Sequence, residues 1–299
     1  MTRCNSMERL NQTSGVSEFI LLGLSSRPED QKPLFTLFLI IYLVTITGNL
    51  LIILAIHSDP QLHTPMYFFL SFLSFIDICF TTTIVPRMLV NFLSHKTISY
   101  AGCLTQMYFI YALGNTDSWL LVVMAFDRYV AICKPLNYSS IMNHRLCVLL
   151  MAVAWTGGFI HSMIQILFTF QLPFCGPNVI DHFICDLYPL LELACTDTHI
   201  FGLLVVTNSG FICTLIFLLL VSYRIILLSL RTHNSEGQEK ALSACRSHIA
   251  IVVLFFVPCI FVYARPSSAF SFDKMVAIFY TILTPLLNPL IYNKEEIRK

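Results

Sequence analysis

Charged side chains are scarce in this sequence. Asp, Glu, Lys and Arg make up 12% of its 299 residues, whereas 56% are hydrophobic. A soluble domain normally contains about 25% charged residues, so the composition argues against a soluble protein and is typical of a chain whose main solvent is the bilayer. The formal net charge is only +1, with no basic face, which argues against nucleic acid as a partner.

The sequence also predicts no secretory signal peptide. Met1–Leu24 does not contain a basic segment followed by an apolar core and a small-residue cleavage site. We therefore expect the first apolar span to insert by itself, after an extracellular N-terminus at residues 1–33. Asn11 in this segment begins an Asn-Gln-Thr glycosylation acceptor pattern.

Seven apolar spans follow, each near the roughly 20 residues that a bilayer helix needs. They are Leu34–Ile56, Pro65–Leu89, Cys103–Ile132, Leu146–Phe170, Phe201–Leu228, Ala241–Tyr263 and Met275–Tyr292. Barrel strands would be short alternating segments, which these are not. We therefore predict an all-α membrane protein, a seven-transmembrane helix bundle over residues 34–292, with an outer loop at 171–200 and a short tail at 293–299.

The distribution of Lys and Arg predicts the orientation. Lys134 and Arg145 lie between the third and fourth spans, Lys240 lies between the fifth and sixth, and Lys294 follows the seventh, whereas the loop at 171–200 has neither Lys nor Arg. Because cytoplasmic loops carry the excess of positive charge, we expect a multi-pass plasma-membrane protein with an extracellular N-terminus and a cytoplasmic C-terminus.

Four of the eleven cysteines stand apart, one at the outer start of the third span and three in the long outer loop. They are Cys103, Cys175, Cys185 and Cys195. An oxidising outer face favours disulfides, and four cysteines allow three pairings between which spacing does not choose. The alternative for the outer loop is a metal site built from His182, Cys185 and Asp186, for which the sequence offers no fourth ligand.

Acidic and amide side chains occur within the apolar spans, where they usually face the bundle interior and find a partner. Asp77 and Asp117 lie on neighbouring spans, and two close carboxylates cannot both stay ionised in a low dielectric without a cation or a shared proton. One hypothesis is a sodium ion held by Asp77, Asp117 and Asn288, because hard cations prefer oxygen ligands. The alternative is a proton-sharing cluster that only packs helices. We expect no other cofactor.

An acid and a base stand side by side at the end of the third span. The segment Asp127-Arg128-Tyr129 is a functional candidate, because charges at membrane depth are costly. The alternative is an interfacial anchor, since long basic side chains extend from helix ends to the headgroups.

The outer halves of the third, fifth, sixth and seventh spans predict a ligand pocket. Its candidate residues are Ile110, Tyr111, Gly114, Asn115, Thr207, Asn208, Phe211, Phe256, Cys259, Tyr263, Ile278 and Thr281. A mostly apolar set with a few hydrogen-bonding groups is typical of small-molecule pockets. Because the set contains no charged residue, we expect a neutral, volatile organic ligand. Ordinary helix packing is the alternative for each residue.

Other functional classes lack their signals. A transporter or channel predicts a polar track across the membrane and helices broken at the midplane, and the spans show a polar cluster without such a track. A membrane enzyme predicts a nucleophile beside a base or a His-rich metal motif, and neither is present.

Several segments together resemble the odorant receptors of the rhodopsin-like G protein-coupled receptor class. They are Leu62–Leu70 with Asp77, Met124–Leu136, Ser222–Tyr223, Lys240–His248 and Pro285–Tyr292. They occur in order over nearly the whole chain, and the outer loop resembles the tetrapod (class II) type. The resemblance implies a rhodopsin-like fold, an odorant as ligand, and an olfactory stimulatory G protein that raises cAMP.

The resemblance also implies residue roles. Arg128 would leave Asp127 when the bundle opens inward and would meet Tyr223 and the G protein, with Tyr129 and Tyr292 in the same switch. The outer loop would be held by disulfides that pair Cys103 with Cys185 and Cys175 with Cys195.

The C-terminal end departs from the family pattern. Tyr292 runs directly into Asn293–Lys299 without the Ser-Leu-Arg that usually intervenes. We therefore expect the short helix after the seventh span to be curtailed, and a non-signalling product is the alternative that this departure raises.

Overall fold

The computed structural model describes residues 16–25, 27–93, 96–174, 178–195, 199–230, 235–264 and 270–296. Long helices dominate this part of the chain. They are α1 (Pro28–Ser58), α2 (Pro65–Phe92), α3 (Tyr100–Cys133), α5 (His144–Phe170), α7 (His199–Leu230), α8 (Ser235–Ala264) and the pair α9 (Phe270–Ile278) and α10 (Thr284–Glu296). A π-helical segment, Phe279–Leu283, joins α9 to α10. The connecting helices are α4 (Tyr138–Ile141) and α6 (Leu187–Glu192), with 3₁₀ turns at Pro60–Leu62 and Pro135–Asn137.

Within the described residues, six helices are long and apolar enough to cross a membrane, and Cys245–Phe261 of α8 is a shorter apolar stretch. The helices extend beyond the predicted spans. α1 begins at Pro28, inside residues 1–33, and α10 continues to Glu296, inside residues 293–299. The early start of α1 has a local cause, because proline is favoured in the first helical turn and Glu29 and Asp30 complement the positive end of the helix dipole.

A small sheet covers one end of the bundle, where the sequence analysis placed only loops. β1 (Glu18–Leu21) lies between β2 (Thr97–Ser99), to which it is antiparallel, and β3 (Val179–Ile180), to which it is parallel. The side chains of Phe19 and Leu21 point into the core and are buried. The sheet therefore joins the N-terminal segment to the residues before α3 and to the outer loop.

Gly23 lets the N-terminal segment approach α2 closely. Its φ is 79°, a conformation that residues with a side chain rarely adopt, and an added Cβ would lie 2.8 Å from the Asn91 side chain. Asn91 Nδ2 donates a hydrogen bond to Leu21 O at 3.1 Å. The N-terminal strand is thus attached to the bundle by α2 as well as by the sheet.

α3 is the central helix and packs against α2, α5 and α7. Its contact with α5 is close because Gly158 faces Thr116, and a Cβ on Gly158 would clash with Thr116 Oγ1. Thr116 donates its hydroxyl proton to Ala112 O at 2.7 Å, so a polar side chain is satisfied within this contact. The central position of α3 makes it the helix that links the two ends of the bundle.

Candidate functional site

A cavity of about 50 Å³ lies beside α3, with α2, α7, α8 and the π-helical segment as its other walls. Six of the predicted pocket residues line it: Ile110, Tyr111, Gly114, Asn115, Phe256 and Cys259. Five further residues line it that the sequence analysis did not select: Phe80, Ser118, Ile212, Phe255 and Tyr280. None of the described residues that line the cavity has a charged side chain. Because pockets that bind drug-sized ligands measure roughly 300 Å³ or more, a ligand of several heavy atoms must displace some of these side chains.

Three predicted pocket residues lie outside this cavity. Phe211 instead stacks on the His161 ring with a centroid distance of 4.9 Å. Ile278 is half-buried against the core, and buried Thr281 donates to Ala277 O at 2.6 Å. The π-helical segment Phe279–Leu283 adds residues per turn, which changes the face that this helix presents. The side chains of Thr207, Asn208 and Tyr263 lie outside the described part of the chain.

Asn115 connects the cavity to α5. Its Nδ2 lies 2.9 Å from His161 Nδ1 and donates to Ser162 Oγ at 3.2 Å. Ser162 Oγ in turn donates to Gly158 O at 2.9 Å. The sequence analysis missed His161 and Ser162, although a histidine within an apolar span is itself a signal of a buried partner.

The outer loop is attached to α3 beside the cavity. A disulfide joins Cys103 to Cys185, as the resemblance implied, and Cys185 N donates to Gln106 Oε1 at 3.1 Å. Tyr111 donates its hydroxyl proton to Asp186 and accepts a hydrogen bond from Leu187 N at 3.2 Å. The cavity thus has a fixed cover on this side.

The second implied disulfide, between Cys175 and Cys195, includes Cys175, which lies outside the described residues. The predicted glycosylation site Asn11 also lies outside them.

At the far side of the same loop, Lys274 Nζ forms an ion pair with Asp181 at 2.5 Å. Because the Asp181 side chain is half exposed, this pair adds little free energy and mainly locates the loop against α9.

The alternative of a metal site in the outer loop is wrong. Cys185 is oxidised in the disulfide, and Asp186 accepts hydrogen bonds from Tyr111 and from Leu187 N. His182 Nδ1 accepts a hydrogen bond from Ile184 N at 3.2 Å, and burial lowers the pKa of His182 to about 4. In the described ranges, no three His, Cys, Asp or Glu side chains are grouped to hold a metal ion.

The polar cluster predicted from Asp77, Asp117 and Asn288 is assembled in the bundle interior, where all three side chains are buried. Asn288 Nδ2 donates to Asp77 Oδ2 at 2.8 Å, and the carboxyl groups of Asp77 and Asp117 interact electrostatically. Asp117 Oδ1 and Asn288 Oδ1 are buried without a hydrogen-bond partner in the described structure. Two unpaired oxygens beside a carboxyl pair fit a small hard cation.

The acid and base at the end of α3 have separate partners. Asp127 is buried and accepts a hydrogen bond from the Tyr138 hydroxyl at 2.8 Å. Across the described residues, no carboxylate lies within ion-pairing distance of Arg128, so the Asp127–Arg128 pair is not formed in this arrangement. Burial and the Asp127 carboxylate raise the pKa of Tyr138, which keeps its hydroxyl protonated as the donor.

Arg128 lies instead within electrostatic reach of Tyr223 and His248. The Tyr223 hydroxyl forms a hydrogen bond with the His248 ring across α7 and α8. Tyr129 is half-buried beside the Phe126 ring, and the Tyr292 side chain lies outside the described part of α10. Sequence reasoning named Tyr223 but missed Tyr138 and His248 as partners, although His248 ends one of the motifs that carried the resemblance.

Comparisons with known proteins indicate one receptor family. The family model described as olfactory receptor matches residues 38–298. Human olfactory receptor 4A8 is 55% identical over 285 residues, covering 95% of this chain and 90% of the relative. Human olfactory receptor 4A5 is 56% identical with the same coverages, and mouse olfactory receptor 4B13 is 55% identical over 93% of this chain and 92% of the relative.

The fold is similar to that of squid rhodopsin, with a TM-score of 0.74 and 17% identity over 91% of this chain and 84% of that one. The predicted seven-helix membrane architecture is therefore confirmed. Both the family model and the relatives exclude the enzyme and transporter alternatives. The chain belongs to the olfactory receptor family of G protein-coupled receptors, whose activity requires a small-molecule ligand and a G protein partner.

Proposed function

We propose that this protein binds a small, neutral, volatile odorant in the cavity beside α3 and activates a stimulatory heterotrimeric G protein, which raises cAMP. The observation that carries the proposal is that the described side chains lining the cavity are all uncharged. A cationic or anionic ligand would lose its hydration there without gaining an ionic partner, which is costly. A neutral ligand with a large apolar surface has no such penalty.

The proposed orientation places the N-terminus outside and the C-terminus in the cytoplasm of a plasma-membrane receptor in contact with lipid. Two features support it. The Cys103–Cys185 disulfide lies at the end of α3 opposite Arg128, and disulfides persist on the oxidising side of a membrane. The loops near Arg128 carry Lys134 and Arg145, as expected of a cytoplasmic side.

The proposed switch is a population shift between two arrangements of the inner end of the bundle. The Asp127 carboxylate has two competing partners, the Tyr138 hydroxyl and the Arg128 guanidinium. While Tyr138 holds Asp127, Arg128 is available to Tyr223 and to the terminal segment of a G protein. A ligand favours this arrangement only by binding it more tightly than the arrangement in which Asp127 and Arg128 pair.

A sodium ion is proposed for the cluster of Asp77, Asp117 and Asn288, and it would supply positive charge between the two carboxyl groups. The unpaired oxygens of Asp117 and Asn288 support this proposal. We expect the unfolding temperature of the purified receptor to be higher in sodium chloride than in N-methylglucamine chloride. The difference should disappear in Asp117→Asn and persist in the control Asp181→Asn. Equal unfolding temperatures in both salts would favour the hydrogen-bonded cluster that only packs helices.

The main proposal is tested in cells that co-express the receptor with the olfactory stimulatory G protein. Sets of neutral, amine and carboxylic acid compounds of matched carbon skeleton are applied, with cAMP as the readout and surface staining as the measure of delivery. We expect responses to neutral compounds only. Stronger responses to amines or acids would contradict the assignment of ligand class.

A matched pair of glycine substitutions tests the location of the site. Gly114 lines the cavity, whereas no atom lies within 4 Å of a Cβ added at Gly210, which is exposed on α7. Gly114→Leu should abolish the ligand response because the new side chain fills the cavity. Gly210→Leu adds the same side chain on the outer face of the bundle and should leave the response intact. Equal effects of the two substitutions would place the ligand elsewhere.

A further inference from the structure

The neighbours of Asn115 allow only one orientation of its side-chain amide. Ser162 Oγ lies 2.9 Å from Gly158 O, which can only accept, so the single Ser162 hydroxyl proton is donated there. Ser162 Oγ must therefore accept from the Asn115 atom that lies 3.2 Å away, and that atom must be the amide nitrogen. The same nitrogen lies 2.9 Å from His161 Nδ1, which accepts the second proton if the imidazole carries its own on Nε2.

Both amide protons of Asn115 are thus used within the protein. Its carbonyl oxygen Oδ1 makes no hydrogen bond to the described residues, yet it is not among the buried polar atoms that lack a partner. Because Asn115 lines the cavity, Oδ1 is the group it can offer to a ligand. An amide that could otherwise serve as donor or acceptor is restricted to accepting.

Two hydroxyl groups of the lining are restricted in the same way. Ser118 donates its proton to Gly114 O at 2.8 Å, so its remaining capacity is to accept. Tyr111 donates to Asp186 and accepts from Leu187 N, so its hydroxyl is occupied by the outer loop. On the α3 wall of the cavity, Asn115 and Ser118 therefore offer acceptors, whereas the Tyr280 hydroxyl belongs to the wall formed by the π-helical segment.

We infer that the ligand is a hydroxyl compound, an alcohol or a phenol, whose O–H donates to Asn115 Oδ1. This inference rests on the proposed function and adds the chemical class of the odorant. His161 and Ser162 do not line the cavity and are positioning residues that set the preference by holding the Asn115 amide. An aldehyde, ketone or ether of the same size would place one acceptor against another and leave Oδ1 desolvated without a partner.

The first test compares two sets of isosteric probes in the cAMP assay. One set is hexan-1-ol, hexanal and methyl pentyl ether, and the other is benzyl alcohol, benzaldehyde and anisole. Within each set, we expect the alcohol to act at a half-maximal concentration roughly tenfold lower than the other two compounds, because sites built around a hydrogen bond reject analogues that lack the donor. An aldehyde or ether that acts as well as its alcohol overturns the inference.

The second test releases the Asn115 amide. His161→Phe keeps an aromatic ring against Phe211 but removes the Nδ1 acceptor. The Asn115 amide is then no longer held on this side and can turn an N–H toward a ligand carbonyl. The ratio of aldehyde to alcohol response should rise roughly tenfold. Ser162→Ala removes the other acceptor and should raise the same ratio. An unchanged ratio in both variants at normal surface level overturns the role of these residues.

Two controls complete the design. Thr156→Ala removes a hydroxyl from an exposed position of the same helix and should leave the ratio unchanged. Among the described residues, this hydroxyl bonds to Ala152 O and Val153 O of its own helix. Asn115→Leu removes the acceptor and should abolish the preference for alcohols. A surface-delivered receptor that responds to the probes without preferring alcohols contradicts this inference alone. A surface-delivered receptor that responds neither to the six probes nor to other neutral volatiles contradicts the proposed function as well.

Discussion

Removal of the Tyr138 hydroxyl tests the competition at the inner end of the bundle. The Tyr138 hydroxyl donates to Asp127 Oδ1 at 2.8 Å, and Asp127 is 1% exposed, so Tyr138→Phe leaves a buried acceptor without this donor. A hydrogen bond of this kind contributes about 1.5 kcal/mol, which corresponds to roughly a tenfold change in an equilibrium. Because Asp127 would then pair more readily with Arg128, we expect basal G protein activation to fall by up to about that factor.

The assay measures the rate of nucleotide exchange on purified stimulatory G protein by receptor embedded in lipid. The rate is divided by the amount of receptor that is accessible at the surface or competent to bind ligand. Tyr108→Phe is the matched control, because it removes a tyrosine hydroxyl from α3 that has no hydrogen bond to the described residues, while its ring contacts with Phe109 and Phe159 remain. Basal exchange that rises or stays constant in Tyr138→Phe would refute the reasoning, since it would mean that Tyr138 does not compete with Arg128 for Asp127.

Three further predictions concern the switch, the outer loop and its pH dependence. Arg128→Ala should abolish nucleotide exchange at a measurable surface level, and unchanged exchange would defeat the switch assignment. Cys103→Ser removes the disulfide that closes a loop with a sequence separation of 82 residues, and it should lower the free energy of unfolding by about 4 kcal/mol. In the same thermal unfolding assay, Cys213→Ser removes an exposed free thiol and should change the free energy of unfolding little. Because the folded pKa of His182 is about 4 against an ordinary 6.5, the unfolded chain binds the proton first. The contribution of neutral His182 to the free energy of unfolding should be fully present above about pH 6.5. The free energy of unfolding should decrease by about 3 kcal/mol as the pH falls to about 4 and below. A pH-scanned unfolding assay should show this loss reduced in His182→Gln but not in His63→Gln.

Sequence patterns predicted the parts of the molecule that depend on the bilayer. Apolar runs of about 20 residues indicated the helices because every backbone polar group must be paired inside the membrane. The residues Ile110, Tyr111, Gly114 and Asn115 of α3 line one cavity, since helical periodicity places them on the same face. Their role in binding a ligand stays a prediction. The seventh span was less predictable because the π-helical segment Phe279–Leu283 changes the period on which such reasoning depends.

Contacts between segments that are distant in the sequence could not be predicted from the same patterns. The sheet of β1, β2 and β3 joins residues 18–21 to residues 97–99 and 179–180, and none of these short strands has a distinctive pattern alone. The partner of Asp127 was expected to be Arg128, its chain neighbour, whereas the structure pairs it with Tyr138. Adjacency in sequence does not decide which partner a side chain has on a helix, because neighbouring positions point about 100° apart and a donor from another segment, here Tyr138, competes for the Asp127 carboxylate.

The amino-acid sequence by itself determined the membrane environment and the seven-helix architecture, because these follow from composition and helical period, and it predicted a mostly apolar, uncharged ligand pocket. Only the tertiary structure decided which hydrogen-bonding group each polar side chain presents. The Asn115 amide, read alone, offers both donor and acceptor, and it becomes an acceptor because α5 packs close enough, at Gly158, for His161 and Ser162 to take its protons. That choice depends on distances between helices, which no local pattern contains.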